Sequence, residues 1–337
     1  MSINVCIFGV SGYTGSTLLK LLNKHKNVNL VGVFGYTSVG KKIQDLFPNL
    51  LNLPDIKIGN YKNFDFGKTD LIFSCLPHGQ FQKEVFTNLN YKESIIDLSG
   101  DFRLDIKSEY EKFYKCKHTN FLQKKKFVYG LTEINRKEIS SSKFIANPGC
   151  YPTSVLIPLV PLLKAKIKSQ AHIVVDSKSG VSGAGKILNE QNLFSELSNN
   201  FFSYGIDNHK HYPEILQEIR KENSNISLTF IPHLLPIFSG IQSNIYFDSQ
   251  LINAEEAFNT LKNFYQNEIF VKIFKNKIPK LSEVQNTNYV RIGVFADISK
   301  RKTIIISTID NLVKGAAGQA IQNMNLMFGF NESESLV

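Results

Sequence analysis

Four cysteines occur in 337 residues, at Cys6, Cys75, Cys116 and Cys150. They lie far apart, with no CxxC pair and no Cys/His cluster at zinc spacing, so neither a disulfide framework nor a structural metal is expected. No run of about 18 apolar residues occurs, which argues against a membrane role. The first residues, MSINVCIFGV, lack the basic, long apolar and small-residue parts of a signal peptide, and a cytoplasmic location is the expectation. Internal repeats and low-complexity linkers are also missing. Acidic residues are the minority, 29 against 39 lysines and arginines, for a net charge of +10. Apart from Lys124, Lys125 and Lys126 the lysines are scattered, and no RNP, zinc-finger or basic-helix pattern accompanies them. A solvated lysine-rich surface with a mild pull on anionic substrates follows, rather than a nucleic-acid partner.

The length suits two domains. Apolar runs at 3–8, 29–34, 70–74, 94–98 and 144–146 read as strands, with helices from the first turn to about 24 and over 80–88. Strands alternating with helices imply a parallel sheet with crossover helices. The pattern then changes. A helix is expected over 153–163, then longer strands at 172–177, 227–231, 241–247, 290–297 and 303–309, interrupted by a helix over 254–267. Their alternation predicts an antiparallel sheet with one covered face. A last helix from 316 to about 328 places Ala317, Ala320, Ile321, Met324 and Phe328 at helical spacing, and periodicity alone assigns it to neither domain.

Between the first strand and helix stands Gly9-Val-Ser11-Gly12-Tyr13-Thr14-Gly15. Glycines there let a backbone approach a dinucleotide pyrophosphate at a helix N-terminus. The spacing is GxxGxxG, a variant that an ordinary βα turn can also show. No carboxylate occurs before Asp45, while Thr37, Ser38, Lys41 and Lys42 follow the second strand. Hydroxyls and ammonium groups there suit a ribose 2′-phosphate, which favours NADP over NAD; the alternative is that the lysines merely face solvent. Pro77, beside Cys75, falls where a strand end can line the cofactor cleft.

Cys150 follows a sharp turn, Asn147-Pro148-Gly149, and precedes a helix expected to begin at Pro152 or Thr153. A helix N-terminus stabilises a thiolate, although a lone cysteine is often a small buried hydrophobe. His209-Lys210-His211-Tyr212-Pro213-Glu214 offers two imidazoles and a carboxylate to partner a thiolate. His-x-His can also bind metal, but no third ligand stands at a recognisable spacing. The loop 179–186, SGVSGAGK, is glycine-rich, flexible and ends in Lys186, which suits an anion. It is not a Walker A loop, which would need Ser or Thr at Ile187.

Together these pieces resemble the N-acetyl-gamma-glutamyl-phosphate reductases of arginine biosynthesis. The resemblance runs through GVSGYTG at 9–15, CLPHG at 75–79, DLSGDFRL at 97–104 and YGLTEINR at 129–136. ANPGCYPT at 146–153, SGVSGAGK at 179–186, HKHYPEI at 209–215 and DNLVKGAAGQAIQNMN at 310–325 complete it. It implies an α/β fold: a Rossmann-type NADP-binding domain over 1–149 and 314–337, plus an α+β catalytic and dimerisation domain over 150–313, similar to aspartate-semialdehyde dehydrogenase. It implies NADP(H) as cofactor, a small acyl phosphate as substrate and a homo-oligomer, dimer or tetramer. Cys150 matches the family nucleophile and His209 the acid/base partner, with His211 and Glu214 in support. Gly9, Ser11, Gly12, Tyr13, Thr14 and Gly15 match the cofactor loop. Ser182, Gly183 and Lys186 fall where cofactor and substrate phosphate meet, and Asn311 beside the nicotinamide. Arg103 and Asn147 are expected on the substrate, although Arg103 can equally serve an internal salt bridge. Lys186 and Lys210 stand where the family commonly has arginine. The implied activity is NADPH-dependent reduction of N-acetylglutamyl 5-phosphate through a cysteine thioester. The alternatives are a reductase of another acyl phosphate, aspartyl or N-acetyl-aminoadipyl, and a non-catalytic NADP-binding regulatory protein.

Overall fold

A computed structural model describes residues 2–337 except 37, 90, 91, 166, 168, 187 and 188. The chain divides into two compact units, 1–148 with 316–337, and 149–315.

In the first unit β1 (Ile3–Phe8), α1 (Tyr13–Leu22) and β2 (Val28–Phe34) are followed by a short α2 (Ile43–Leu46), β3 (Leu71–Ser74) and β4 (Ser94–Asp97). Then come α3 (Lys107–Tyr114), β5 (Val128–Tyr129), α4 (Thr132–Ser140) and β6 (Phe144–Ala146). The strands form one six-stranded sheet in the order β2-β1-β3-β4-β6-β5, every pair parallel. Strand order reverses at β1, whose neighbours are β2 and β3, and a doubly wound sheet binds ligands at the carboxyl ends of strands at such a point. Cys6, Phe8, Phe34, Ile72, Phe81 and Phe86 belong to the core beneath.

The helix expected over 80–88 is instead a π-helical turn, Phe81–Val85, continued by a 3-10 turn, Phe86–Asn88. Side chains take carbonyls that an α-helical ladder would use. Asn120 and Thr87 donate to the Gln82 carbonyl, and Tyr61 and Asn88 to that of Glu84.

The second unit holds α5 (Cys150–Ala165), β7 (Ala171–Gly180), α6 (Phe194–Leu197), β8 (Phe202–Ser203) and α7 (His211–Glu222). It continues with β9 (Ile226–Leu235), β10 (Ile241–Asp248), α8 (Ala254–Phe264), β11 (Val271–Lys275), β12 (Val290–Ala296) and β13 (Lys302–Ile309). Its seven-stranded sheet runs β11-β12-β13-β10-β7-β9-β8. The expected antiparallel sheet is in fact mixed, because β7 pairs parallel with β9 and β11 with β12. A parallel pair needs a crossover rather than a hairpin; α7 lies in the connection from β7 to β9, and residues 276–289, with a 3-10 turn at Leu281–Glu283, connect β11 to β12. Residues alternate between buried and half-buried along β7, β9 and β10.

The last helix opens with a π-helical turn, Val313–Ala317, and continues as α9 (Gly318–Met327). From Ala316 onward it belongs to the first unit. Its apolar spacing is only part of the reason. Gln319, Gln322, Asn323 and Asn325 are also fully buried. Gln322 donates to Glu133 at 2.9 Å, and Asn323 accepts from Thr132 at 2.7 Å and donates to the Gly130 carbonyl at 2.9 Å. Gln322 and Asn323, so bonded, cost little to bury and fix one register against α4.

Candidate active site

Each unit carries its own set of candidate residues. In the first, Gly9 leaves β1 at φ +80°, and a Cβ there would stand 2.6 Å from the Cys75 carbonyl oxygen at the exit of β3. At Gly15 a Cβ would run into the Gly9 carbonyl. Glycine is what lets this loop close on itself. Gly12 caps α1 with no side-chain hydrogen bond, and a Cβ on it would meet only the Gly9 carbonyl, at 3.5 Å. A ligand therefore has room to approach the backbone at the start of α1. Those features fit a dinucleotide pyrophosphate. Ser11, Tyr13 and Thr14 are half-buried around it, and Pro77 is exposed just beyond Cys75.

The loop after β2 lies beside this one: Gly9 and Val10 donate to the Phe34 carbonyl, at 2.8 and 3.4 Å. Ser38 is buried and the Lys41 side chain exposed, while Thr37 lies outside the described residues. The fold adds two carboxylates that a count along the chain misses. Asp55 pairs with Lys42 at 2.9 Å, and Glu84 accepts from the Tyr36 hydroxyl at 2.5 Å.

Arg103 and Asn147 occupy bracing positions in the first unit. The Arg103 guanidinium is buried and donates to the carbonyls of Asn147, at 2.7 Å, and Leu98, at 2.9 Å. Asn147 is fully buried, donates to the Ala316 carbonyl at 3.2 Å and accepts from Asn323 at 3.1 Å. These contacts tie the chain ahead of Cys150 to β4 and α9.

In the second unit α5 begins at Cys150 itself, earlier than expected. The Gly149 carbonyl takes both the backbone N–H and the hydroxyl of Thr153, each at 2.9 Å, and closes the first turn. Pro152 sits within that turn, where a missing N–H costs nothing. The N–H groups at the start of α5 form the positive end of its helix dipole. From α7, the buried Glu214 carboxylate accepts the Gly149 N–H at 2.8 Å and holds the turn from outside.

His209 stands just before α7 in an aromatic enclosure. Its ring lies edge-to-face with Tyr151 at 5.5 Å, Tyr204 at 5.5 Å, Phe230 at 5.4 Å and His211 at 5.0 Å. Burial, helped by the neighbouring Lys210 charge, lowers its pKa to about 3. The His211 backbone N–H points at Nδ1 at 3.1 Å. Nδ1 is thus an acceptor, and neutral His209 carries its proton on Nε2. Burial also pushes the Tyr204 hydroxyl up to about 12 and raises that of Tyr151 well above its ordinary value. His211 is buried at the start of α7, its ring 5.8 Å from Tyr151. The sequence reading missed Tyr151, Tyr204 and Phe230, because an enclosure drawn from a helix, a loop and a strand leaves no periodic trace.

Two further features close around this turn. Gly315 faces Cys150, and a Cβ on it would stand 2.7 Å from the Cys150 Cβ. The 179–186 loop is partly regular. Val181–Ala184 is a 3-10 turn whose Val181 and Ser182 N–H groups donate to the carbonyls of Ile237 and Phe238. Asn311 donates to the Ser182 hydroxyl at 2.9 Å and accepts the Gly240 N–H at 2.7 Å. Asn311 therefore anchors the loop, Gly183 sits close under Ser179, and Lys186 is exposed past the turn. Among the described residues no group of three or more His, Cys, Asp or Glu side chains is placed to hold a metal ion.

Residues 4–142 match the family model described as semialdehyde dehydrogenase, NAD binding domain, and residues 150–311 the one described as semialdehyde dehydrogenase, dimerisation domain. An Arabidopsis thaliana protein named probable N-acetyl-gamma-glutamyl-phosphate reductase, chloroplastic, is 41% identical over 99% of this chain and 84% of its own length. The chain belongs to the N-acetyl-gamma-glutamyl-phosphate reductase family. A member from Methanocaldococcus jannaschii is 42% identical over 98% of this chain and 97% of its own. The family fold extends to aspartate semialdehyde dehydrogenases. Enzyme II from Vibrio cholerae, solved with ASA, superposes with a TM-score of 0.76 at 20% identity over 98% of this chain and 99% of that one. The enzyme from Candida albicans, solved with NADP, gives 0.69 at 14% over 97% and 99%. At such identities the likeness concerns the fold.

Proposed function

We propose that the protein reduces N-acetyl-γ-glutamyl phosphate to N-acetylglutamate 5-semialdehyde, releasing phosphate, with NADPH as reductant. The observation that carries the reading is Cys150 at the first residue of α5, with the buried imidazole of His209 packed edge-to-face against the ring of the next residue, Tyr151. The Cys150 thiolate attacks the acyl carbon, a C–S bond forms, the C–O bond to phosphorus breaks and phosphate leaves. The glycine loop at Gly9, Gly12 and Gly15, with Ser38 and Lys41 toward the 2′-phosphate, would hold the cofactor, whose reduced nicotinamide supplies the hydride. The resulting thiohemiacetal collapses to aldehyde and regenerates the thiolate. The N–H groups of the first turn of α5 and the Nε2–H of His209 are the donors for the oxyanion formed at each stage. A neutral imidazole suits that task better than outright proton transfer. Glu214 holds the turn, and Lys186, with the Ser182–Gly183 turn, attracts the phosphoryl group.

The unit that matches the dimerisation model supports a homo-oligomer, and a cytoplasmic location suits a small-molecule enzyme in which, among the described residues, no helix is long and apolar enough to cross a membrane. The substrate test is the reverse reaction, phosphate-dependent reduction of NADP, with the semialdehydes of N-acetylglutamate, aspartate and N-acetyl-aminoadipate compared by kcat/KM. The reading expects N-acetylglutamate semialdehyde to lead. A lead by either of the others reassigns the substrate, and no turnover with any of them leaves a cofactor-binding protein without this chemistry.

A further inference from the structure

Helix α5 is the buried spine of the second unit, with every residue from Tyr151 to Leu163 out of solvent. Its own ladder is broken twice. Pro158 and Pro161 remove the N–H groups that would bond to the carbonyls of Ser154 and Ile157. At Ile157 the gap is filled sideways, by the Tyr265 hydroxyl at 2.5 Å. At Ser154 the sideways contact runs through the side chain. The Ser154 hydroxyl lies 2.8 Å from the Tyr151 carbonyl and 2.6 Å from the Ser243 hydroxyl, which lies 2.7 Å from that of Ser177. Ser154, Ser177 and Ser243 are all fully buried.

Counting protons sets the direction. In the contact between Ser154 and the Tyr151 carbonyl only the hydroxyl can donate, so the Ser154 oxygen accepts from Ser243. The Ser243 oxygen must then accept from Ser177. The result is a one-way chain of hydroxyls from β7 through β10 to the first turn of α5, the arrangement in which successive hydrogen bonds strengthen one another. Ser243 lies directly across from Ser177 in the sheet, so the chain is built into the strand register.

We infer that Ser243 is a positioning residue for Cys150, clamping the first turn of α5 to the sheet through the Ser243–Ser154 hydrogen bond. Ser154 lies four residues after Cys150 and so on the same face of the helix. Apart from the Tyr151 hydroxyl, which donates to the His233 carbonyl of β9 at 3.1 Å, the contacts of α5 with the sheet are largely apolar, and apolar packing tolerates small rotations that a directed hydrogen bond does not. A slight turn of α5 moves the sulfur relative to the oxyanion donors, and small misplacements of reacting atoms are costly in rate. The inference rests on the reading of Cys150 as the nucleophile.

The test uses the full-length protein, with Cys150→Ser as a control. Ser243→Ala is expected to lower kcat about tenfold with KM little changed, and to shift the pH profile of Cys150 alkylation by iodoacetamide. Ser243→Thr, which keeps the hydroxyl, restores kcat and the profile. Ser177→Ala, which spares the Ser243–Ser154 bond, gives a smaller effect of the same kind and serves if Ser243→Ala does not fold. Wild-type kcat and alkylation in Ser243→Ala, or a lowered Tm with both unchanged, overturns the inference. So does wild-type kcat and alkylation in Ser177→Ala, should that be the only variant to fold. Full turnover in Cys150→Ser instead overturns the reading beneath it.

Discussion

Gly315 leaves no room for a side chain on the face it turns to Cys150, where an added Cβ would lie 2.7 Å from the Cys150 Cβ. Gly315→Ala therefore forces α5 or the 313–317 turn to shift. The expected cost is about 1–3 kcal/mol of stability and a fall in kcat of up to about 100-fold, read by denaturant unfolding and by turnover. His209 makes a different prediction, about pH. In the unfolded chain its imidazole takes a proton near 6.5, whereas in the fold it resists until about 3. Between those values the unfolded chain is the better proton binder, so His209 makes the fold less stable as pH falls from 6.5 toward 3. His209→Gln should flatten that acid limb by up to about 1.4 kcal/mol per pH unit, measured by urea unfolding at a series of pH values. The same property means that kcat/KM shows no ionisation of His209 between pH 5 and 8. A break there that vanishes in His209→Gln would contradict the neutral assignment.

The elements were legible in the sequence to different degrees. Strands β1, β3, β10 and β13 follow their apolar runs closely, because a central strand buries nearly every side chain or alternates strictly. The helix expected over 80–88 became a π turn, because Asn120, Thr87 and Tyr61 compete for its carbonyls, and no local pattern announces a partner dozens of residues away. Strand β11 was missed, since Val271–Lys275 is a short run at the sheet edge with one buried residue. Cofactor preference shows the same limit. The segment after β2 carries no acid of its own, yet the fold places Glu84 at Tyr36 and Asp55 at Lys42. NADPH is still expected to outperform NADH in kcat/KM, and Lys41→Ala should narrow that ratio by raising KM for NADPH alone. An unchanged ratio would remove Lys41 from the 2′-phosphate. In α5, Tyr265→Phe orphans the Ile157 carbonyl, at a cost of about 1–3 kcal/mol, seen as a lower denaturation midpoint.

At the scale of the molecule, the two-part organisation was legible from the change of pattern after Cys150, and the proposed chemistry rests on a cysteine at a turn and two histidines. Which face of the second sheet is covered was not, because its half-buried face is itself rich in aliphatics. α5 reaches Ser177 and Ser243, so the helices lie on the face of Ile173 and Val175. The opposite face presents Val174, Ile231, Tyr246, Ile304 and Ile306, all half-buried, a surface suited to a second copy of the chain. Ile306→Asp is expected to shift the sedimenting species toward a single chain, and an unchanged oligomer would move the interface elsewhere. The central claim, a covalent thioester on Cys150, is open to direct observation. Enzyme mixed with N-acetylglutamyl phosphate in the absence of NADPH, quenched in acid and digested, is analysed by mass spectrometry. The account predicts an N-acetylglutamyl adduct confined to the Cys150 peptide, absent in Cys150→Ser along with turnover. An adduct on another residue, or full turnover by Cys150→Ser, would contradict it.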